Sequence, residues 1–410
     1  MDAASFQRVY DSFQGLHAFF AASFGRKQWR EHSRTYLQAL LVQAQERRNA
    51  ENLSESVGIS ARAMQRFLTE ARWDDDAVTG RLQEYPAPRL GHPEAVWVLD
   101  GSDFPKQGRK SAGVARQYCG RLGKVANCQA GRFLAYVSPL GRALVDKRLY
   151  LPQSWTSDPQ RCAAAGVPEE QQGYRSKTEL ALEMLERALE LGHLKAGWVA
   201  ADDAFGMSPS FREGLAALGM RYVLDVPGNT PVWPLEPVWT VAEYGGSGRL
   251  RKPRLREGQR RTMEQRGAEL PDAAWREITV AEGSQGPRSY RFSTQRVRVT
   301  RKGKPGEIHW AVWRRNLDGS EPRYYLSNAP EDTPLETLAC VGGSRWRIET
   351  EFQTEKGDLG LDEYETRSWA GWHHHIAMCL LGGAFLLGLQ QDWGEKDAPD
   401  HPSAGVPGGA

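Results

Sequence analysis

Two short apolar runs, each ending on an acid, constrain this chain more than any other feature. Val96-Trp97-Val98-Leu99 reads as a buried strand that ends at Asp100, and Gly197 to Ala201 reads as another that ends at Asp202. Strand patterns also cover Gly131 to Val137 and Arg142 to Leu149, separated by the turn Ser138-Pro139-Leu140-Gly141. Ser176 and Glu179 have capping-box spacing for a helix running to Gly192, and a helix over Pro209 to Leu218 leads into a strand over Tyr222 to Val226. Strands alternating with helices in this way point to an α/β fold. Carboxylates at strand ends then project from a rigid sheet into a crevice.

The flanks differ in texture. Phe6, Val9, Tyr10, Phe13, Leu16 and Phe19 recur at three- and four-residue spacing, so residues 1–90 are expected to be helical. Within them Leu53, Val57, a Gly58 break, Ile59, the candidate N-cap Ser60, Met64, Phe67 and Leu68 fit either a DNA-binding helix-turn-helix or an ordinary helical hairpin. Pro86, Pro88 and Pro93 mark a linker. The expected organisation is a helical N-terminal domain (1–90), a first core segment (91–227), a β-rich insertion (228–330), a helical C-terminal core segment (331–393) and a disordered Gly- and Pro-rich tail (394–410).

At 410 residues, with 40% hydrophobic and 25% charged residues, the chain is not a disordered polymer and is long enough for two or three folding units. Five cysteines without metal-ligand spacing fit a reducing cytoplasm. No signal peptide is expected, and the longest apolar run, Ile376 to Leu389, is short for a membrane span. The net charge of +2 says nothing of partners, but its distribution does. Seven of the thirteen residues from Arg249 to Arg261 are Lys or Arg, including Arg251, Lys252, Arg254 and Arg256. A second basic group is Arg296, Arg298, Arg301, Lys302 and Lys304. Each is a candidate DNA-backbone surface or a solvated face. Lys106, Lys110, Arg116 and Lys124, interleaved with glycines, read as a flexible basic loop suited to phosphate.

The chemistry is concentrated in Asp100, Asp202 and Glu349. Carboxylates at strand ends suit hard, oxygen-seeking cations such as Mg²⁺ or Mn²⁺, and two such ions can promote phosphoryl transfer. Arg345, Glu349 and Lys356 share one helical face, which fits either a metal ligand between phosphate-holding cations or an exposed salt-bridged helix. His373-His374-His375 point about 100° apart on a helix and cannot all ligate one ion.

Arg345-x₃-Glu349-x₆-Lys356 resembles the R-E-K part of the Y-x₂-R-x₃-E-x₆-K signature of DDE insertion-sequence transposases. The resemblance extends over Asp100–Gln129 (DGSDFPKQGRKSAGVARQYCGRLGKVANCQ), Arg148–Glu170, Trp198–Gly206 (WVAADDAFG), Tyr324–Pro330 (YYLSNAP) and Gly360–Leu381. It implies an RNase H-like catalytic core with a β-rich insertion between the second Asp and the Glu. It further implies Asp100, Asp202 and Glu349 as the metal-binding carboxylates of a two-ion Mg²⁺ or Mn²⁺ site, with Arg345 and Lys356 on DNA phosphates. Asp203 and Asp103 compete for the acidic roles; strand alternation turns only one of each pair toward the metals, and Asp202 and Asp100 are preferred because they directly follow the apolar runs. The signature tyrosine position holds Gly342, and Gly101-Ser102 stands where many relatives carry an acid and Thr. The function implied is a cut-and-paste transposase acting on terminal inverted repeats and target DNA as a homodimer on DNA, in a bacterial cytoplasm at the nucleoid and not at a membrane. A metal-dependent nuclease on the same core and a non-catalytic, transposase-derived regulator are the alternatives.

Overall fold

The computed structural model describes residues 2–43, 47–240, 252–283 and 286–394. The N-terminal region is helical as its periodicity requires: α1 (Ala3–Phe20), α2 (Lys27–Val42), α3 (Ala50–Val57), α4 (Ala61–Thr69), α5 (Asp75–Glu84) and the short α6 (Ala87–Leu90) within the proline-marked stretch. Gly58 takes the left-handed conformation that closes α3 (φ 69°), and the Ser60 hydroxyl accepts from the Ala63 N–H at the start of α4. α3 and α4 are therefore two helices joined by a tight turn, a feature common to both expected readings. Met64, Phe67 and Leu68 of α4 point inward, and Arg62, Gln65, Arg66 and Thr69 stay exposed.

Next come β1 (Val96–Pro105), β2 (Ala115–Cys119), β3 (Lys124–Ser138) and β4 (Gly141–Leu149). The short helices α7 (Gln153–Thr156) and α8 (Pro159–Ala164) precede α9 (Lys177–Leu191), whose Ser176/Glu179 capping box is formed. Then follow β5 (Trp198–Ala201), α10 (Asp203–Gly206), α11 (Pro209–Ala217) and β6 (Arg221–Val226). Two expectations need correction. β1 does not end at Asp100 but runs on to Pro105, because it keeps pairing with β3 through Pro105↔Cys128. The basic loop after Asp100 is in part a strand: Arg116 lies on β2 and Lys124 opens β3.

Beyond β6 lie β7 (Pro231–Pro234), β8 (Trp239–Thr240), β9 (Arg254–Leu255), β10 (Arg261–Thr262), α12 (Met263–Ala268), β11 (Arg276–Gly283), β12 (Gly286–Arg301), β13 (Lys304–Arg315) and β14 (Arg323–Ser327). This segment is β-rich, as its composition suggested. It extends the core sheet: β14 pairs with β6, and the order β10-β7-β12-β13-β14-β6-β5-β1-β3-β2 is continuous, with β4 on β3 and β11 on β12. The helices α13 (Leu335–Gly343), α14 (Trp346–Leu359) and α15 (Trp369–Gly394) complete the described chain.

One face of the sheet carries α14, α15 and the N-terminal helices in a single core that includes Val98, Ala200, Val223, Ile348, Phe352, Phe67 and Leu37. The other face carries α9 and α11 over Leu99, Leu134, Ala201 and Leu224. α15 is long and apolar enough to cross a membrane, but 89% of its apolar window is buried inside the protein against α1, α2, α4, α5, α14 and β4. The histidine run serves this packing. His375 donates from Nε2 to the Gly360 carbonyl (3.0 Å) and accepts at Nδ1 from the Tyr36 hydroxyl (2.9 Å). His374 stacks on Trp73 at 3.9 Å and lies between the carbonyls of Leu68 and Trp73.

A buried ion pair joins the N-terminal helices to the sheet. Lys147 of β4 is wholly buried, and its ammonium donates to the Asp75 carboxylate of α5. Asp75→Asn leaves that cation unpaired and should lower the unfolding free energy by about 3–5 kcal/mol, whereas adding Lys147→Met should restore much of the stability. Urea unfolding of the single and double variants measures both.

Candidate active site

The site follows from the register of three adjacent parallel strands. Leu99 pairs with Ala201, and Ala201 with Leu224. The next residue on each chain is an acid: Asp100, Asp202 and Asp225, side by side at one edge. Strand alternation carries Asp100 and Asp225 onto the face of Val98 and Val223, where α14 packs. At β5 the strand stops and Asp202 becomes the N-cap of α10, its carboxylate accepting from the Phe205 N–H at 3.2 Å. Asp203 opens α10 and is exposed, whereas Asp202 is half-buried; both lie beyond the end of β5, so strand alternation does not set their directions.

Arg345, at the start of α14, reaches into this row. Its Nε lies 3.2 Å from Asp225 Oδ2, and its Nη1 lies between Glu349 Oε1 (2.8 Å) and Asp100 Oδ2 (3.7 Å). One guanidinium thus ties three carboxylates from two strands and a helix. The electrostatics show the strain of gathering acids. Burial and the neighbouring Asp202 push Asp100 up to about 7, against the pull of Arg345 and of the Gly101 N–H, which donates at 2.6 Å. Burial pushes Asp225 up to about 6, opposed by Arg345 and Arg323. Asp202 is raised by burial too, with the Phe205 N–H and Arg132 opposing.

A set of buried carboxylates that repel one another, all oxygen donors at one sheet edge, fits a hard divalent cation. Asp100 and Asp202 are the pair that would hold it. Glu349 is turned onto Arg345 with its side chain 52% exposed, and among the described residues no three acidic, histidine or cysteine side chains are gathered closely enough to hold one ion. Its rotamer would have to swing from the guanidinium to join the pair.

The other expected residues fall into two groups. Lys356 is half-buried on α14 near Asp362, its ammonium 5.7 Å from the Phe352 ring centroid, and makes no ion pair among the described residues. Lys252, Arg254 and Arg256 are exposed and unpaired among the described residues, with Arg254 on the small β8–β9 ribbon; Arg251 lies outside the described residues. By contrast Lys106 is tied down: it donates to the Tyr364 carbonyl (2.8 Å) over the Tyr364 ring, and burial lowers it to about 8. Arg296 and Arg298 donate to backbone carbonyls, and Arg301 pairs with Glu213 and Glu307. Gly342 explains the missing signature tyrosine. It lies within α13 against Val223 and Tyr325, where even a Cβ would meet Val223 at 3.2 Å and the Tyr325 ring at 3.4 Å. The buried Tyr325, cross-strand partner of Asp225, fills that space.

Sequence reasoning missed Asp225 and Arg132. The first was hidden as the penultimate residue of an apolar strand. A signal was present: it stands one residue past Leu224 just as Asp100 follows Leu99.

Residues 19–287 match the model of the family described as DDE superfamily endonuclease. The chain is 25% identical over 365 residues to the probable transposase for insertion sequence element IS701 of Microchaete diplosiphon, spanning 86% of this chain and 82% of that protein. Among solved structures, a cryo-EM structure of the piggyBac transposase synaptic complex with hairpin DNA aligns over 91% of this chain and 67% of that one, at a TM-score of 0.38 and 11% identity. The family match covers about two-thirds of the chain, including Asp100, Asp202 and Asp225, and with it the chain belongs to the DDE superfamily endonucleases, DNA-cleaving enzymes of the transposase kind built on an RNase H-like core.

Proposed function

We propose that this protein is an insertion-sequence transposase that binds the terminal inverted repeats of its element, cleaves a phosphodiester at each end and joins the freed 3′-hydroxyl to target DNA. The observation that carries this reading is the row Asp100–Asp202–Asp225 closed by Arg345 and Glu349 at one sheet edge. DDE endonucleases act with divalent metal ions, and Asp100, Asp202 and Glu349 are the residues proposed to hold two Mg²⁺ or Mn²⁺. Such ions supply the Lewis acidity that activates an attacking hydroxyl and stabilises the leaving oxygen.

The chain's own residues do the rest. Asp225 and the sheet edge fix Arg345, so its cation balances the acids without collapsing between Asp100 and Asp202. Lys356, without an ion pair among the described residues, is the cation of the motif best placed for a DNA phosphate. Lys106 supports the loop through Tyr364, and any phosphate contact by it is proposed only as secondary. The exposed Lys252, Arg254 and Arg256 are proposed to bind DNA backbone, with Arg251, which lies outside the described residues, added from its place in the sequence, and the exposed strip of α4 is the proposed reader of the repeat. A nuclease that cleaves without joining is the second reading; strand-transfer products from a pre-cleaved end separate the two.

Asp100→Asn, Asp202→Asn and Glu349→Gln are each expected to abolish cleavage while end binding persists, because each swap removes a carboxylate charge at nearly constant shape. Cleavage within about tenfold of wild type for any one excludes it from the site. Neutralising Arg251, Lys252, Arg254 and Arg256 together is expected to weaken binding to all sequences and to reduce the slope of log K against log salt by about 0.9 for each DNA phosphate the strip no longer neutralises; an unchanged slope makes the strip a solvated face. Two ends must be cut and joined to one target, and one chain supplies one acid row, so the active species is proposed to be a homodimer on DNA. Mixing Glu349→Gln protein with an N-terminal binding-deficient variant should restore cleavage if the two chains act in trans. A strictly monomeric active complex, by mass measurement in solution, refutes the dimer.

A further inference from the structure

The sheet edge that bears the acids has a second polar group on its opposite face. Arg132 of β3 continues the inward row of Leu134 and Tyr136 and is more than nine-tenths buried. Its cross-strand neighbour is Gly101, the residue after Asp100, and the guanidinium lies directly over that glycine: a Cβ there would stand 1.5 Å from Nη1. With Gly101 the guanidinium can lie on the strand, whereas any Cβ there would displace it.

Having been let in, Arg132 is poorly satisfied. Among the described residues the nearest acid oxygen is Asp103 Oδ1, 3.8 Å from Nη2 and too far for a hydrogen bond, and neither Arg132 Nε nor Asp103 Oδ1 has a hydrogen-bond partner. The neighbour across the other side of β3 is the contrast. Arg148 has its guanidinium on Asp146 at 2.7 Å and near Asp76 at 3.6 Å. Beside Arg132 stands Lys177, the first residue of α9, its ammonium 5.2 Å from the centroid of the Tyr150 ring and without an ion pair among the described residues. Burial and the charge of Arg132 both disfavour the Lys177 cation. The counter-charges these two cations share are Asp103, at 3.8 Å and without a hydrogen bond, and the more distant Asp202, so hydrogen-bond capacity for a further anion is left over.

We propose that Arg132 and Lys177 form a seat for one backbone phosphate of the DNA cut at the Asp100–Asp202 edge, on the face of the sheet away from α14. The proposal rests on the transposase reading and adds a second grip on the same strand. A planar guanidinium offers paired donors to a phosphate, and the buried position protects the contact from salt screening. Asp103, held by the Gly120 N–H at 2.7 Å, limits how far the guanidinium can turn, so it acts as a positioning residue.

The test uses the full-length protein and DNA from its element's own end, with single phosphates replaced by neutral methylphosphonates one position at a time. Wild type is expected to show one position near the cleavage point where the replacement weakens binding, and Arg132→Gln should become insensitive at that position alone. Lys177→Gln, which removes a part-exposed side chain with no partner to orphan, should lower the salt slope by about 0.9 and become insensitive at the same position, with Lys177→Arg restoring both. If both Gln variants keep the wild-type profile and slope while wild type cleaves, the phosphate seat is refuted and the transposase reading stands. If Arg132→Gln fails to fold, the Lys177 pair decides alone. If wild type neither binds nor cuts the end, the transposase reading falls and takes the seat with it.

Discussion

The parallel register of β1, β5 and β6 is the constraint on which the rest of the molecule depends. Because Leu99, Ala201 and Leu224 lie at one level, a single step along each strand places three carboxylates abreast. Taking such acids out of water costs several kcal/mol each unless a counter-charge is supplied. Arg345 supplies it from α14, and this explains why the helix must start where it does. A shift of α14 by one turn would carry the guanidinium about 5.4 Å away and leave the acids uncompensated. Gly342, pressed on Val223 and Tyr325, lets α13 approach the sheet closely enough to set that start.

Legibility in the sequence followed the range of the interaction. Local signals were readable: the Ser176/Glu179 capping box, the Ser60 cap with its Gly58 turn, and the apolar strands before Asp100 and Asp202 all depend on residues a few positions apart. The continuity of the insertion with the core sheet was not readable. It rests on Tyr325↔Asp225 and neighbouring pairs across about a hundred residues, and a β-rich composition is equally consistent with a separate domain. The end of β1 was misplaced for a related reason. Polar Gly101, Ser102 and Asp103 look like a loop, yet the partner strand β3 holds them in the sheet to Pro105.

Charge was read less well than shape. A run of arginines states where cations lie along the chain but not what they touch. Arg296 and Arg298 spend donors on backbone carbonyls, and Arg301 on two glutamates, so the arginines of that basic group are engaged by the protein itself while Lys302 and Lys304 stay exposed. Arg345 is the opposite lesson: a residue expected on DNA phosphate is held among carboxylates of its own chain. In both cases the missing information was three-dimensional, namely which acceptors the fold brings within about 3 Å of each guanidinium.

The last helix shows how the same apolar composition can mislead about partners. The apolar positions of α15 and of the N-terminal helices exceed what two small separate cores need. Most of them cover one another, although Phe6 and Tyr10 of α1 stay exposed: Phe13 packs edge-on to Phe385, His374 on Trp73, and Tyr36 on His375. The N-terminal helices therefore share a core with the catalytic sheet rather than hanging from a linker, and Lys147–Asp75 reinforces the join. On the proposed reading, a DNA end gripped by α4 would be held in a fixed frame relative to Asp100 and Asp202 of the same chain. Action in trans then requires the whole protomer to be placed by its partner, because a swing of the N-terminal helices alone would have to break that common core.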